Sequence, residues 1–142
     1  MNATLVRVGV DQAFGGWNAP VDPDSLEFVY VPIPEGEAQT FQEGLATTYA
    51  DVIPALCAFA SGRAVARERE VLLPPALEKR CTHQDPDFGH LTYGDNGTRR
   101  GKTLGSFEAG DVVAFFAGLR PCRPCGQRRI YGLIGAYRVA KV

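Results

Sequence analysis

The chain has 142 residues and a formal net charge of -1, with 45% hydrophobic and 22% charged residues. That length supports a single domain, residues 1-142, whose core stands without help from a metal or disulfide. The near-neutral total excludes a global basic field for nucleic acid and leaves only local patches. No apolar run approaches the roughly 20 residues that cross a bilayer. Without a signal-like N-terminal segment, the expectation is a cytoplasmic protein with no membrane partner, whose four cysteines are reduced or metal-bound.

In chain order, residues 4 to 10 alternate and are rich in valine, which predicts a first strand. Gly15-Gly16-Trp17 and Pro20 then mark a loop with unusual backbone freedom. Residues 26 to 31 read as a second strand, stopped by Pro32-Ile33-Pro34. Val52, Leu56 and Phe59 recur near the helical period, predicting a short helix over residues 49 to 60, with Pro54 in its first turn. Residues 63 to 70 read as a charged, solvated stretch, and 76 to 80 as one helical turn. Residues 111 to 118 predict a central strand, apolar on both faces. Residues 129 to 139 predict a last long strand whose Gly132 and Gly135 suggest a bend. Short strands with one or two short helices predict a small α+β domain, its mixed sheet curled or closed into a barrel.

Chemistry concentrates in residues 81 to 95, which hold both histidines, one cysteine, a tyrosine and several acids. His83 beside Asp85 and Asp87 suits acid–base catalysis or metal ligation. The same carboxylates around Pro86 equally suit a structural turn that caps backbone amides. Arg7, Asp11, Gly15, Gly16 and Trp17 form a second candidate, in which glycines admit a phosphate, Arg7 pairs with it and Trp17 stacks on a base. A tight loop with a half-buried tryptophan is the structural alternative. Cys122-Arg123-Pro124-Cys125 has the spacing of half a zinc site, which Cys81, His83 or His90 would complete. Two unligated thiols in a hairpin loop fit the same spacing. Arg99, Arg100 and Lys102, then Arg120, Arg123, Arg128 and Arg129, supply basic clusters, and Tyr93 and Tyr131 supply stacking faces between them.

The sequence resembles the family called nucleotide modification associated domain 3. The likeness lies in Arg7-x-Gly9-x-Asp11 running into Phe14-Gly15-Gly16, in Val31-Pro-Ile-Pro34 followed by Thr48-Tyr49-Ala50-Asp51, in His83-x-Asp85-Pro86-Asp87-Phe88 continuing to Tyr93-Gly94-Asp95, and in Gly110-Asp111 leading through an apolar strand to Gly132-Leu-Ile-Gly135. The C-terminal strands also look like the PUA, ASCH and EVE group of small β-barrels. These resemblances imply a nucleic-acid-associated domain that recognises or helps process a modified nucleotide or base in DNA or RNA. They also sharpen the site to His83, Asp85, Asp87, Tyr93 and Asp95. Two rival readings are an enzyme acting on a nucleotide or base, metal-dependent or not, and a structural subunit that joins other proteins of a nucleotide-modification system.

Overall fold

The computed structural model describes residues 1–13, 16–35, 47–63, 71–78, 80–94 and 101–142. Its strands are β1 (Ala3–Arg7), β2 (Pro20–Val21), β3 (Ile33–Pro34), β4 (Thr47–Thr48), β5 (Cys81–His83), β6 (Val112–Pro121) and β7 (Ile130–Arg138). Its helices are α1 (Ile53–Ser61), α2 (Pro75–Glu78) and α3 (Gly101–Leu104), with a 3-10 turn at Tyr49–Asp51. None of the described helices is long and apolar enough to cross a membrane. The chain forms two compact units interleaved in sequence. Unit 1 holds Met1–Val8, Asp85–Ala117 and Leu133–Val142, and unit 2 holds Gly9–Gln84 and Gly118–Gly132.

In unit 1, β1 runs parallel to β6, with Leu5 beside Ala114 and Arg7 beside Phe116. Strand β7 pairs with β6 as well. Gly9, at φ +80, follows Val8 directly, so the predicted strand stops short of Val10. Along β6 the side chains alternate. Val113, Phe115 and Ala117 are buried, while Val112, Ala114 and Phe116 are only half-buried. The core of this unit is a cluster of rings. Phe115 is fully buried, with its centroid 4.8 Å from Tyr137, 5.2 Å from Tyr93 and 5.9 Å from Phe88. At the strand's start, the Asp111 carboxylate accepts from the Asn2 amide at 2.6 Å and the Glu108 amide at 3.0 Å. Those contacts tie the N-terminal strand to the turn that launches β6.

In unit 2, β5 is the middle strand of an antiparallel sheet, with β3 on one edge and β4 on the other. Short β2 pairs with the end of β6, Val21 beside Pro121. Helix α1 buries Leu56 and Phe59, with Pro54 in its first turn, where a missing N–H costs nothing. Phe59 packs with Val71 and Cys122. Tyr49 is fully buried and donates its hydroxyl hydrogen to the Pro32 carbonyl at 2.9 Å.

Two expectations are corrected. The described strands make two open sheets, so the α+β domain is not a closed or PUA/EVE-like barrel. Strands β3, β4 and β5 are two or three residues long and leave β6 and β7 to form a separate sheet with β1 and β2. The second predicted strand, residues 26 to 31, does not form either. The Asp22 carboxylate accepts from the amides of Asp24 at 2.9 Å and Ser25 at 3.4 Å, and the Leu26 amide returns to the Asp22 carbonyl. This closed turn holds Leu26 at φ +61 and leaves only the bridge between Val21 and Phe28.

Replacing Phe115 with alanine should cost about 3–5 kcal/mol of unfolding free energy, because a fully buried ring leaves a cavity and three unpaired aromatic neighbours. Urea unfolding followed by circular dichroism measures it.

Candidate functional site

The stretch from 81 to 95 divides between the two units. Cys81–His83 is β5 of unit 2, and the described loop from 85 to 94 belongs to unit 1. In unit 2 the His83 Nδ1 contacts a Glu35 carboxylate oxygen, a partner that sequence reasoning missed. In unit 1, Asp87 is the organiser of its loop and is 7% exposed. One carboxylate oxygen accepts from the amides of Gly89 at 2.8 Å and His90 at 3.0 Å. The other meets His90 Nδ1 at 2.8 Å. The backbones of Asp87 and Thr92 exchange hydrogen bonds, and the Asp87 carbonyl accepts from the Tyr137 hydroxyl at 2.8 Å. Asp85 accepts from the Gly94 amide at 2.8 Å. The turn reading of these two aspartates therefore has direct geometric support.

The hydrogen bond from the His90 ring, followed by those from backbone amides, holds the Asp87 carboxyl below its ordinary value despite burial. Asp87 is thus ionised at neutral pH, and the short contact requires the His90 proton on Nδ1 when the ring is neutral. Nε2 is then the acceptor, on a side chain 81% exposed. His90 was the histidine the sequence argument set aside. Its signal was the i, i+3 spacing from Asp87 across a glycine-bearing turn.

Arg7 and Tyr93 come together. Both line a cavity of about 350 Å³ in unit 1, with Leu5, Thr103 and Phe116 among its walls. Tyr93 is held there by its tilted contact with Phe115. Lys102 precedes Thr103 on α3. Gly15, Asp95, Arg99, Arg100 and the side chain of Lys102 lie outside the described residues.

The remaining candidates sit in unit 2. Asp11 is buried and accepts from the Ala13 amide at 2.7 Å, and Gly16 takes φ +70. Trp17 is 5% exposed and belongs to the buried set rather than to an open stacking face. Cys122 is buried and Cys125 exposed. Burial, and then the charge of Asp22, push the Cys122 thiol up. Among the described residues no group of three or more His, Cys, Asp or Glu gathers into a metal site, so the zinc half-site finds no second half there.

The charged stretch that starts at Arg63 was expected to be solvated. Arg63 instead stacks over the Phe59 ring at 4.2 Å, donates to Asp22 at 3.2 Å and pairs with Glu27. Arg123 shares Asp22 at 2.9 Å and pairs with Asp24. Residues 64 to 70 lie outside the described residues. Arg120 and Arg128 are exposed, and Arg129 donates to the Tyr131 hydroxyl and Asn18 Oδ1.

The lowered carboxyl of Asp87 has a pH consequence. Its folded value lies below the ordinary 3.8, so its stabilisation is complete above that value and is lost as pH falls through the folded one. Thermal unfolding midpoints should fall from about pH 5 toward pH 2, more steeply in the parent protein than in Asp87→Asn. Equal slopes would remove Asp87 from the acid response.

Comparison with known proteins then places the chain. No curated protein and no solved structure matches it. The family model described as nucleotide modification associated domain 3 matches residues 2–142, spanning both units and every candidate residue above. The chain belongs to the nucleotide modification associated domain 3 family.

Proposed function

We propose that this domain serves nucleotide modification by binding a nucleotide of DNA or RNA in the unit 1 cavity, and so recognises a modified base or presents it for processing. One observation carries the reading: Arg7 and Tyr93, far apart in sequence, line the same cavity. Its volume of about 350 Å³ falls within the roughly 300–1,000 Å³ typical of small-molecule sites. Arg7 supplies a planar cation suited to a phosphate. The rings of Tyr93 and Phe116 supply faces for a base, and the Thr103 hydroxyl can bond its polar edge. An unstacked base enclosed this way is discriminated by the polar groups it leaves paired or unpaired.

A second reading, an enzyme acting on a nucleotide or base, is favoured by the pair of His90 and Asp87. A carboxylate fixed by backbone amides orients an imidazole whose other nitrogen faces outward, which is the arrangement a proton-transfer group needs. The His83–Glu35 pair in unit 2 is the other histidine–carboxylate couple available. Asp85, which anchors the Gly94 amide, then serves to hold the loop.

Titration with nucleoside monophosphates and short oligonucleotides tests the binding reading. Tyr93→Ala and Arg7→Ala should each weaken binding by about tenfold, as the loss of one stacking or phosphate contact predicts. Oligonucleotide affinity should fall with rising salt. Failure of DNA, RNA and mononucleotides alike to bind at low salt would overturn the reading. For the enzymatic alternative, His90→Gln should abolish turnover of a bound nucleotide while leaving its affinity unchanged.

A further inference from the structure

Four consecutive residues of β1, Thr4 to Arg7, line the unit 1 cavity. Successive side chains of a strand point to opposite faces, so a run of four shares one cavity along the strand's edge. The hydrogen bonds identify which main-chain groups that edge carries. The Val112 amide donates to the Asn2 carbonyl at 3.0 Å, and the Val8 amide donates to the Phe116 carbonyl at 2.9 Å. These bonds close the two ends of a parallel register that runs from Ala3 beside Val112 to Arg7 beside Phe116. In such a ladder alternate residues turn both N–H and C=O to the partner strand. Asn2, Thr4, Val6 and Val8 therefore face β6, and Ala3, Leu5 and Arg7 face away from it. Among the described residues β1 pairs with no strand but β6. Leu5 is 58% exposed, and its outward amide and carbonyl have no hydrogen-bond partner among the described residues.

We infer that the cavity takes an unpaired base by its base-pairing edge, against the Leu5 N–H and C=O, an inference that rests on the reading of the cavity as a nucleotide site. Each of the four bases presents an acceptor beside an N–H donor on that edge. The outward main chain of Leu5 offers the complementary donor and acceptor. A base held this way lies roughly in the plane of the sheet and continues β1 outward. Its two faces then meet walls from opposite sides of that sheet. Register sets Leu5 on the side of Phe116 and Val6 on the side of Phe115, where Tyr93 packs with its centroid 5.2 Å from the Phe115 ring. Apolar walls above and below a polar floor suit a flat heterocycle. A volume of about 350 Å³ suits one nucleotide rather than an added peptide strand. Engaging this edge excludes a base that is still paired in a duplex. It also sorts modifications by position: a group on the pairing edge blocks entry, whereas one on the opposite side of the ring leaves the contact intact.

Calorimetric titration of the full chain with the four nucleoside monophosphates, and with methylated forms of the tightest, tests the edge. A methyl on N1 of a purine or N3 of a pyrimidine should weaken binding by about tenfold or more, because a main-chain group then loses its partner. A methyl on C8 of a purine or C5 of a pyrimidine should weaken it far less. On the protein side, Leu5→Pro deletes the outward N–H, which an edge strand tolerates, and keeps the ladder to β6. It should bind the unmethylated nucleotide about tenfold more weakly than Leu5→Ala, which retains the N–H. Ala3→Pro deletes the preceding outward N–H, outside the cavity, and should leave affinity unchanged. Thermal melts establish that the proline variants fold, and the methyl comparison decides the matter if Leu5→Pro does not. Equal tolerance of the two methyl positions, or equal affinity of Leu5→Pro and Leu5→Ala, overturns the edge contact and leaves the cavity reading intact. Absence of binding by every mononucleotide overturns both. A dimer of the parent chain that Leu5→Pro dissociates in sedimentation would instead make the edge a strand-pairing surface between copies.

Discussion

The burial of the Phe115 ring is the constraint on which unit 1 depends. A ring at that point of β6 needs partners, and it takes three from two stretches: Phe88 and Tyr93 from the loop, and Tyr137 from β7. Phe88 fits because Gly135 lies under it. A Cβ at Gly135 would stand 2.6 Å from the Phe88 ring, so any larger residue there would lift the loop away. Once the loop is pinned, the Tyr137 hydroxyl reaches the Asp87 carbonyl, Asp87 organises the turn that carries His90, and Tyr93 is set against the cavity with Arg7. Packing, loop geometry and site follow from one another in that order.

Elements whose signals are local were legible in the sequence. The helical spacing of Leu56 and Phe59, the apolar run of β6 and the length of β7 all led to real elements with ends displaced by a few residues. What failed depended on distant or side-chain-driven contacts. The pairing of β1 with β6 joins residues 109 apart, and neither strand announces its partner. The barrel was an inference from many short strands, which say how much sheet there is and not whether it closes. Leu26 broke the second strand because the Asp22 carboxylate captured the amides of Asp24 and Ser25 and the Asp22 carbonyl accepted that of Leu26. The candidate site was half readable. Arg7 and Tyr93 carry side chains suited to nucleotides and line one cavity, but Asp85 and Asp87 were assigned to His83 by proximity in sequence, whereas His83 finds Glu35 and Asp87 finds His90.

The arginines divide by task in a way composition cannot disclose. Arg63 and Arg123 converge on Asp22, whose carboxylate is almost wholly buried and would be costly to ionise there without them. They hold the turn at residues 22 to 27 and belong to the architecture of unit 2. Arg7 instead lines the cavity of unit 1, and Arg138 is exposed near the end of β7.

The long-range pairing of β1 also bears on biosynthesis. A ribosome releases this strand first and must add roughly a hundred residues before β6 exists to receive it. Through that interval Leu5, Val6 and Val8 travel with unsatisfied backbone edges, the condition that invites off-pathway pairing. The residues of unit 2 between Gly9 and Gln84 emerge in the meantime. Unit 1 is therefore a late event in the life of the nascent chain, and its site matures only as translation reaches β7.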